Sequence, residues 1–138
     1  MAKDKIKVVA GTIIQYGNKI LMCKRAEKQA YGGEWSIPLG SVHSNESPIN
    51  GAKREFFEET NIKLTGDIKL IDIITKEKGT MIYVYYKNSG KELIPDLENA
   101  KDGREHDICG YFSYDELPFG DKQDEIYDII KKVLGDRK

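Results

Sequence analysis

The feature that most constrains this chain is an acidic helix signal over residues 47–62, SPINGAKREFFEETNI. Ser47 suits an N-cap and Pro48 the first helical position. Asn61 suits the left-handed residue that closes a helix. At about 100° per residue, Ile49, Ala52, Phe56 and Thr60 gather on one side, with Glu55, Glu58 and Glu59 on the neighbouring side and Arg54 beside them. Lys53 falls within the apolar sector and is expected to snorkel. Such a helix needs a core under one face. Its other face carries like charges three and four residues apart, which repel one another. Arginine can offset that repulsion, and so can a hard divalent cation that seeks oxygen ligands. A solvated acidic face is the plain alternative.

The flanking sequence supplies a sheet for this helix to cover. Residues 6–15, IKVVAGTIIQ, are rich in β-branched side chains and read as a strand. Residues 16–19 carry turn chemistry, and 20–24 return as a second strand. There Ile20 and Met22 face one side, and Leu21 and Cys23 the other, as in a buried hairpin of a mixed sheet. Over 67–75 a period of two puts Ile68, Leu70, Asp72 and Ile74 on one side. Residues 80–87, TMIYVYYK, form a further strand with Tyr83 and Tyr85 sharing a face. The two tyrosines read as sheet packing or as the lining of a base or leaving-group pocket. Residues 88–106 are mostly loop, and 108–113 form a strand. Over 121–134, Ile126, Ile129, Ile130, Val133 and Leu134 mark an amphipathic helix. This order alone supports α+β or α/β.

With 138 residues, one domain spanning 1–138 is expected. A net charge of −1 gives no global reason for membrane or stable nucleic-acid binding. No run approaches the ~18 apolar residues of a membrane span, and the N-terminus lacks a signal-peptide core. A cytoplasmic protein is therefore expected. Cys23 and Cys109 lack metal-type spacing and are expected as reduced thiols, with a Cys23–Cys109 disulfide the lesser alternative.

Gly40, five residues, Glu46, seven residues and then Arg54-Glu55-Phe56-Phe57-Glu58-Glu59-Thr60-Asn61-Ile62 resemble the Nudix box, G-x5-E-x7-R-E-U-x-E-E-x-G-U with U apolar. The departure is Asn61 at the second glycine. The approach, Trp35 to Gly40, resembles the family's W-x-x-P-G-G with Leu39 in place of a glycine. Trp35 itself reads as a core or rim aromatic, with contact to a base the lesser alternative, and His43 as exposed, with a phosphate or water contact the lesser alternative.

The resemblance implies an α/β fold, a Nudix-type α/β/α sandwich around a mixed β-sheet. It implies Mg2+, with Mn2+ possible, on Glu55, Glu58 and Glu59 together with a backbone carbonyl of the Leu39–Gly40 turn. Glu58 and Glu59 would carry the catalysis, with Arg54 holding the carboxylates. Glu105, favoured over Asp107, would reach in from a loop to orient the water. Arg25 would meet substrate phosphate, Tyr83 and Tyr85 are the candidate pocket aromatics, and Glu46 would hold its loop against the helix. The implied activity is metal-dependent hydrolysis of a nucleoside diphosphate linked to another moiety. A MutT-like nucleoside triphosphate pyrophosphohydrolase comes first, and a nucleotide-sugar or dinucleoside-polyphosphate hydrolase second. A non-catalytic nucleotide-sensing domain is the rival of another class, though it would be expected to lack box carboxylates. A homodimer is compatible with the resemblance.

Overall fold

The computed structural model describes residues 7–26, 33–98, 106–118 and 125–135, without the side chains of 106 and 107. Strand β1 (Lys7–Tyr16) is the axis of the molecule. It turns back through Gly17, whose φ of 63° suits glycine, into β2 (Lys19–Arg25). Two short strands follow, β3 (Trp35–Ser36) and β4 (Leu39–Ser41). Helix α1 (Pro48–Thr60) leads to β5 (Lys69–Thr75) and β6 (Thr80–Asn88). Strand β7 (His106–Phe112), a single 3-10 turn (Tyr114–Glu116) and helix α2 (Glu125–Gly135) complete the described chain.

The sheet runs β3-β2-β1-β6-β5, with β4 also on β1 and β7 also on β2. β1 pairs in parallel with β6 from Lys7↔Thr80 to Gln15↔Asn88. On its other side it pairs antiparallel with β4 near its start and with β2 at its end. The sheet is therefore mixed. Alternation along the strands divides the core. Ile13, Ile20, Met22 and Val84 pack with Ile126, Ile130 and Leu134 of α2. Ala10, Ile14, Leu21 and Tyr85 pack with Ala52 and Phe56 of α1. One helix on each face gives the expected α/β/α sandwich. Phe56 is 1% exposed, and truncating such a side chain to alanine costs about 3–5 kcal/mol.

Two expectations need correction. The alternation assigned to 67–75 fails because a bulge falls between Leu70 and Asp72. The extra residue, Ile71, packs on the α2 side. Beyond it the side chains change faces, so Leu70 and Ile73 lie opposite Tyr85 and Tyr83, while Asp72 lies opposite Val84. Leu70 and Ile73 are exposed. Second, Cys23 and Cys109 are not free thiols. They face each other across β2 and β7 and form a disulfide with Cα atoms 4.0 Å apart. Cross-strand partners of an antiparallel pair are the neighbours whose Cα atoms come that close.

Candidate active site

Helix α1 begins as its sequence demands. Ser47 accepts a hydrogen bond from the Asn50 backbone N–H, Pro48 stands at the first turn, and Asn61 closes the helix at φ 62° with its N–H on the Phe57 carbonyl. Thr60 donates its hydroxyl to the Phe56 carbonyl. The helix therefore starts and stops where its box residues require, and asparagine meets the left-handed geometry usually given to glycine.

Arg54 organises the acidic face. Its Nε and Nη2 donate to the two oxygens of Glu46 at 2.7 and 3.0 Å, a bidentate pairing. Nη1 donates to Glu55 at 3.1 Å and Glu58 at 2.9 Å. Nη2 also donates to the Ser41 carbonyl at 2.8 Å. One guanidinium thus joins three carboxylates and the end of β4. Glu46 additionally accepts from the His43 backbone N–H. The Arg54 hydrogen bonds, aided by the His43 N–H, hold the Glu46 carboxyl at about 2, below its ordinary value. This ties the loop carrying Glu46 to the helix. His43 itself is exposed.

Glu55 and Glu59 are arranged differently. Burial pushes the Glu55 carboxyl up, against the lowering effect of hydrogen bonds with Glu59 and Arg54. Glu59 is 3% exposed. Two carboxyls that hydrogen-bond each other must share a proton, or else both ionise beside a cation. The Glu55 carboxylate lies directly over Gly40, where an added Cβ would fall 2.1 Å from its Oε1. A side chain at 40 would displace this carboxylate from its seat. Nearby, a Cβ on Gly51 would fall 2.8 Å from Val42 Cγ2 and 3.2 Å from Glu46 Oε1, so the loop packs closely on the helix here too.

The donor set suits a hard divalent cation: two abutting carboxyls in a half-buried recess, with the backbone of Gly40 against them. Among the described residues no three His, Cys, Asp or Glu side chains already converge on one ion position. Glu58 is held by Arg54 Nη1 and would have to turn from it to join the pair.

The remaining candidates are placed as follows. Leu39 and Gly40 belong to a strand and not to an open turn, pairing with Gly11 and Ala10 of β1. The approach is tight: a Cβ on Gly11 would fall 2.5 Å from that of Leu39. Arg25 ends β2, its backbone bonded to Glu34 and Gly33. Tyr83 and Tyr85 face α1, and Tyr85 is buried there. Tyr83 reaches a cavity of about 430 Å3 whose wall includes Lys7, Ser41, His43 and Glu46. Trp35 packs edge-on against Phe112 on the α2 side. Glu105 lies outside the described residues, as does the side chain of Asp107.

Sequence reasoning missed two features. The Ser41 carbonyl as a partner of Arg54 carries no side-chain signature. Thr12, paired opposite Tyr85 on β1, is fully buried with no hydrogen-bond partner for its hydroxyl among the described residues. A lone threonine in an apolar strand gives no sign of this.

With the glutamate face, its arginine and its glycine seat described, the match to known proteins is direct. Residues 5–133 match the family described as NUDIX domain. The chain belongs to the NUDIX domain family. This NUDIX domain is 32% identical over 77 residues to an 8-oxo-dGTP diphosphatase of Proteus vulgaris, covering 56% of this chain and 68% of that protein. It is 33% identical over 102 residues to a nucleoside triphosphate pyrophosphatase/Nudix hydrolase fusion protein of Bifidobacterium longum. That match spans 72% of this chain but only 20% of the fusion protein. Among solved structures, it superposes on a NUDIX hydrolase from Nitrosomonas europaea with a TM-score of 0.76 at 28% identity, covering 96% of this chain and 72% of that one. A MutT NUDIX hydrolase from Burkholderia pseudomallei shares the fold, with a TM-score of 0.74 at 22% identity over 93% of this chain and 97% of that one. No helix among the described residues is long and apolar enough to cross a membrane.

Proposed function

We propose that this NUDIX domain hydrolyses a phosphoanhydride bond of a nucleoside diphosphate linked to a second moiety, with a nucleoside triphosphate as the first substrate class. The observation that carries the reading is the Glu55–Glu59 carboxyl pair seated on Gly40 beside an arginine-held Glu58. A buried Glu59 against a half-buried Glu55 that shares a single arginine nitrogen with Glu58 is a poor structural element and a good ligand set. The names of the relatives support the same class: a diphosphatase acting on 8-oxo-dGTP, and a nucleoside triphosphate pyrophosphatase in a fusion protein.

Nudix hydrolases generally use a divalent metal, and here Glu55, Glu59 and Glu58 with the Gly40 carbonyl would hold it. When bound, a cation such as Mg2+ neutralises charge on phosphoryl oxygens and acidifies water. The protein's own part is positional. Arg54 keeps Glu58 within reach and anchors the Glu46 loop, so the carboxylates meet the substrate from a fixed helix. A box glutamate takes the proton of the attacking water, the water oxygen bonds to phosphorus, and the anhydride oxygen leaves with the departing phosphoryl group. Arg25 would contact substrate phosphate through its planar fork.

Phosphate and pyrophosphate release should be followed with Mg2+, with Mn2+ and with chelator. The substrates are damaged and normal nucleoside triphosphates, nucleotide sugars and dinucleoside polyphosphates. Metal-dependent turnover is expected on at least one of them, falling at least 100-fold in Glu59→Gln. Full turnover by that variant on the best substrate would remove Glu59 from the mechanism.

A further inference from the structure

A second cavity, of about 430 Å3, lies where the chain leaves α1 and where β6 ends. Its wall combines Ile62, Leu64 and Leu93 with Lys63, Lys87 and Lys91. No acidic side chain lines it. In a chain whose 22 basic and 23 acidic residues nearly balance, three ammonium groups around one hollow are a local excess. None of the three forms an ion pair among the described residues. Burial raises the pKa of the Tyr111 phenol nearby, and the charge of Glu92 adds to that rise.

The cavity is framed by fixed backbone. Ser89 is buried, its N–H donates to the Gln15 carbonyl, and its hydroxyl donates to the Lys91 carbonyl. Tyr111 donates to the Leu93 carbonyl and accepts from the Leu93 N–H. Lys87 Nζ lies near Gly66, 3.6 Å from where a Cβ would stand. Leu64 is buried, and so anchors the apolar wall.

Strand register separates the β6 end of this cavity from the Gly40 seat of Glu55, while Lys63 and Leu64 also border a separate shallow hollow beside Arg54. Gly40 pairs with Ala10, whereas the cavity rim at Asn88 pairs with Gln15. Five residues at ~3.3 Å each place the two roughly 16 Å apart along β1. Arg25 lies in the same direction as Gly40, six residues along β2 from the hairpin turn that adjoins Gln15, or about 20 Å from that turn.

We propose that this cavity is a second binding site, for a nucleoside mono- or diphosphate, independent of the carboxylate site. The phosphates lie on Lys63, Lys87 and Lys91, and the nucleoside lies against Ile62, Leu64 and Leu93. The volume falls within the range of small-molecule sites, which pair an apolar wall with a few convergent polar groups. Lysines serve as point charges for phosphate.

The test is titration of ADP and of inorganic pyrophosphate into metal-free protein in EDTA, read by amide chemical shifts and by calorimetry at low and high salt. Chelator removes metal-dependent binding at the carboxylates. The expected result is ADP binding that weakens with salt, with shifts clustered at residues 62–65 and 87–93. ADP should bind at least threefold more tightly than pyrophosphate. Binding should be unchanged in Glu59→Gln and at least tenfold weaker in Lys63→Gln/Lys87→Gln/Lys91→Gln. The exposed Lys91→Glu serves where the triple variant does not fold, and should lose at least fivefold. The folded lysine variants should hydrolyse the best substrate as the wild type does. Shifts centred on Glu55, Glu59 or Arg25, or undiminished binding in the folded lysine variants, would overturn the site. Equal affinities for ADP and pyrophosphate would overturn the nucleoside assignment.

Discussion

Replacing Glu46 by glutamine isolates its two-point contact with Arg54. Glu46 accepts both arms of the Arg54 fork, and this with the His43 N–H holds its carboxyl at about 2 instead of 4.5. Each tenfold change in proton affinity corresponds to about 1.4 kcal/mol, so the ceiling on this contribution is on the order of 3 kcal/mol. The carboxylate is 16% exposed and sits near the surface, so screening reduces the expected value to about 1–2 kcal/mol. The sign follows from linkage. A carboxyl with a lowered folded pKa stabilises the protein above its unfolded value. That contribution is lost as pH falls from about 4.5 towards 2. Urea denaturation of wild type and Glu46→Gln at pH 7 should therefore differ by about 1–2 kcal/mol. The gap should narrow as pH falls through 4 to 3. A pH-independent gap, or none at pH 7, would refute the assignment of the shift to Arg54. Arg54→Lys should recover little, because an ammonium cannot reproduce the planar two-point contact.

Two further outcomes follow from packing and covalent geometry. Gly40→Ala places a methyl 2.1 Å from the Glu55 carboxylate. It should destabilise the fold by about 1–3 kcal/mol and depress turnover more than Gly90→Ala, where the added Cβ meets open space; denaturation and hydrolysis assays check both. Reducing Cys23–Cys109, which bridges a sequence separation of 86 residues, should lower stability by about 4–5 kcal/mol on the chain-entropy account. A thermal scan with and without dithiothreitol, against Cys23→Ser/Cys109→Ser, checks it.

The division between what was legible and what was not follows the range of each interaction. Helix α1 could be read from its own residues, because Ser47, Pro48 and Asn61 act within one turn of themselves. The hairpin and the two-sided burial of Ile20, Leu21 and Met22 could be read for the same reason. The sequence points to Glu46 as the residue that holds its loop against the helix, but its partner Arg54 is visible only in the fold. The bulge at Ile71 could not be read. A strand rich in isoleucine satisfies a period of two in either phase, and the partner strand decides which residue is extra. The disulfide was misjudged because it depends on β7 pairing with β2, a contact between segments 86 residues apart that neither segment announces. Leu39 is expected in a turn only through the resemblance of Trp35–Gly40 to the family's approach to the box. Its place in β4 comes from hydrogen bonds to β1, and not from its own preference.

The site divides its acids into two electrostatic classes, and this makes a testable claim about stability and function. Glu46 takes both arms of the Arg54 fork, while Glu58 and Glu55 share its remaining nitrogen, so the charge of Glu46 is the best compensated. Glu59 is buried and Glu55 half-buried against it, and burial opposes ionisation at Glu55 more than its Arg54 contact favours it. Without a cation the pair is a liability, because a buried carboxylate lacking full compensation destabilises the native state. Glu59→Gln keeps the shape, supplies an N–H for Glu55 without a shared proton, and removes one desolvated acid. In chelator at pH 7 the variant should be more stable than wild type by about 1 kcal/mol, while losing turnover. Adding Mg2+ should then raise the wild-type melting temperature and leave the variant nearly unmoved, reversing their order. If the variant is less stable than wild type in chelator, the pair supports the fold, and the case for these acids as a preformed half of a metal site falls with it.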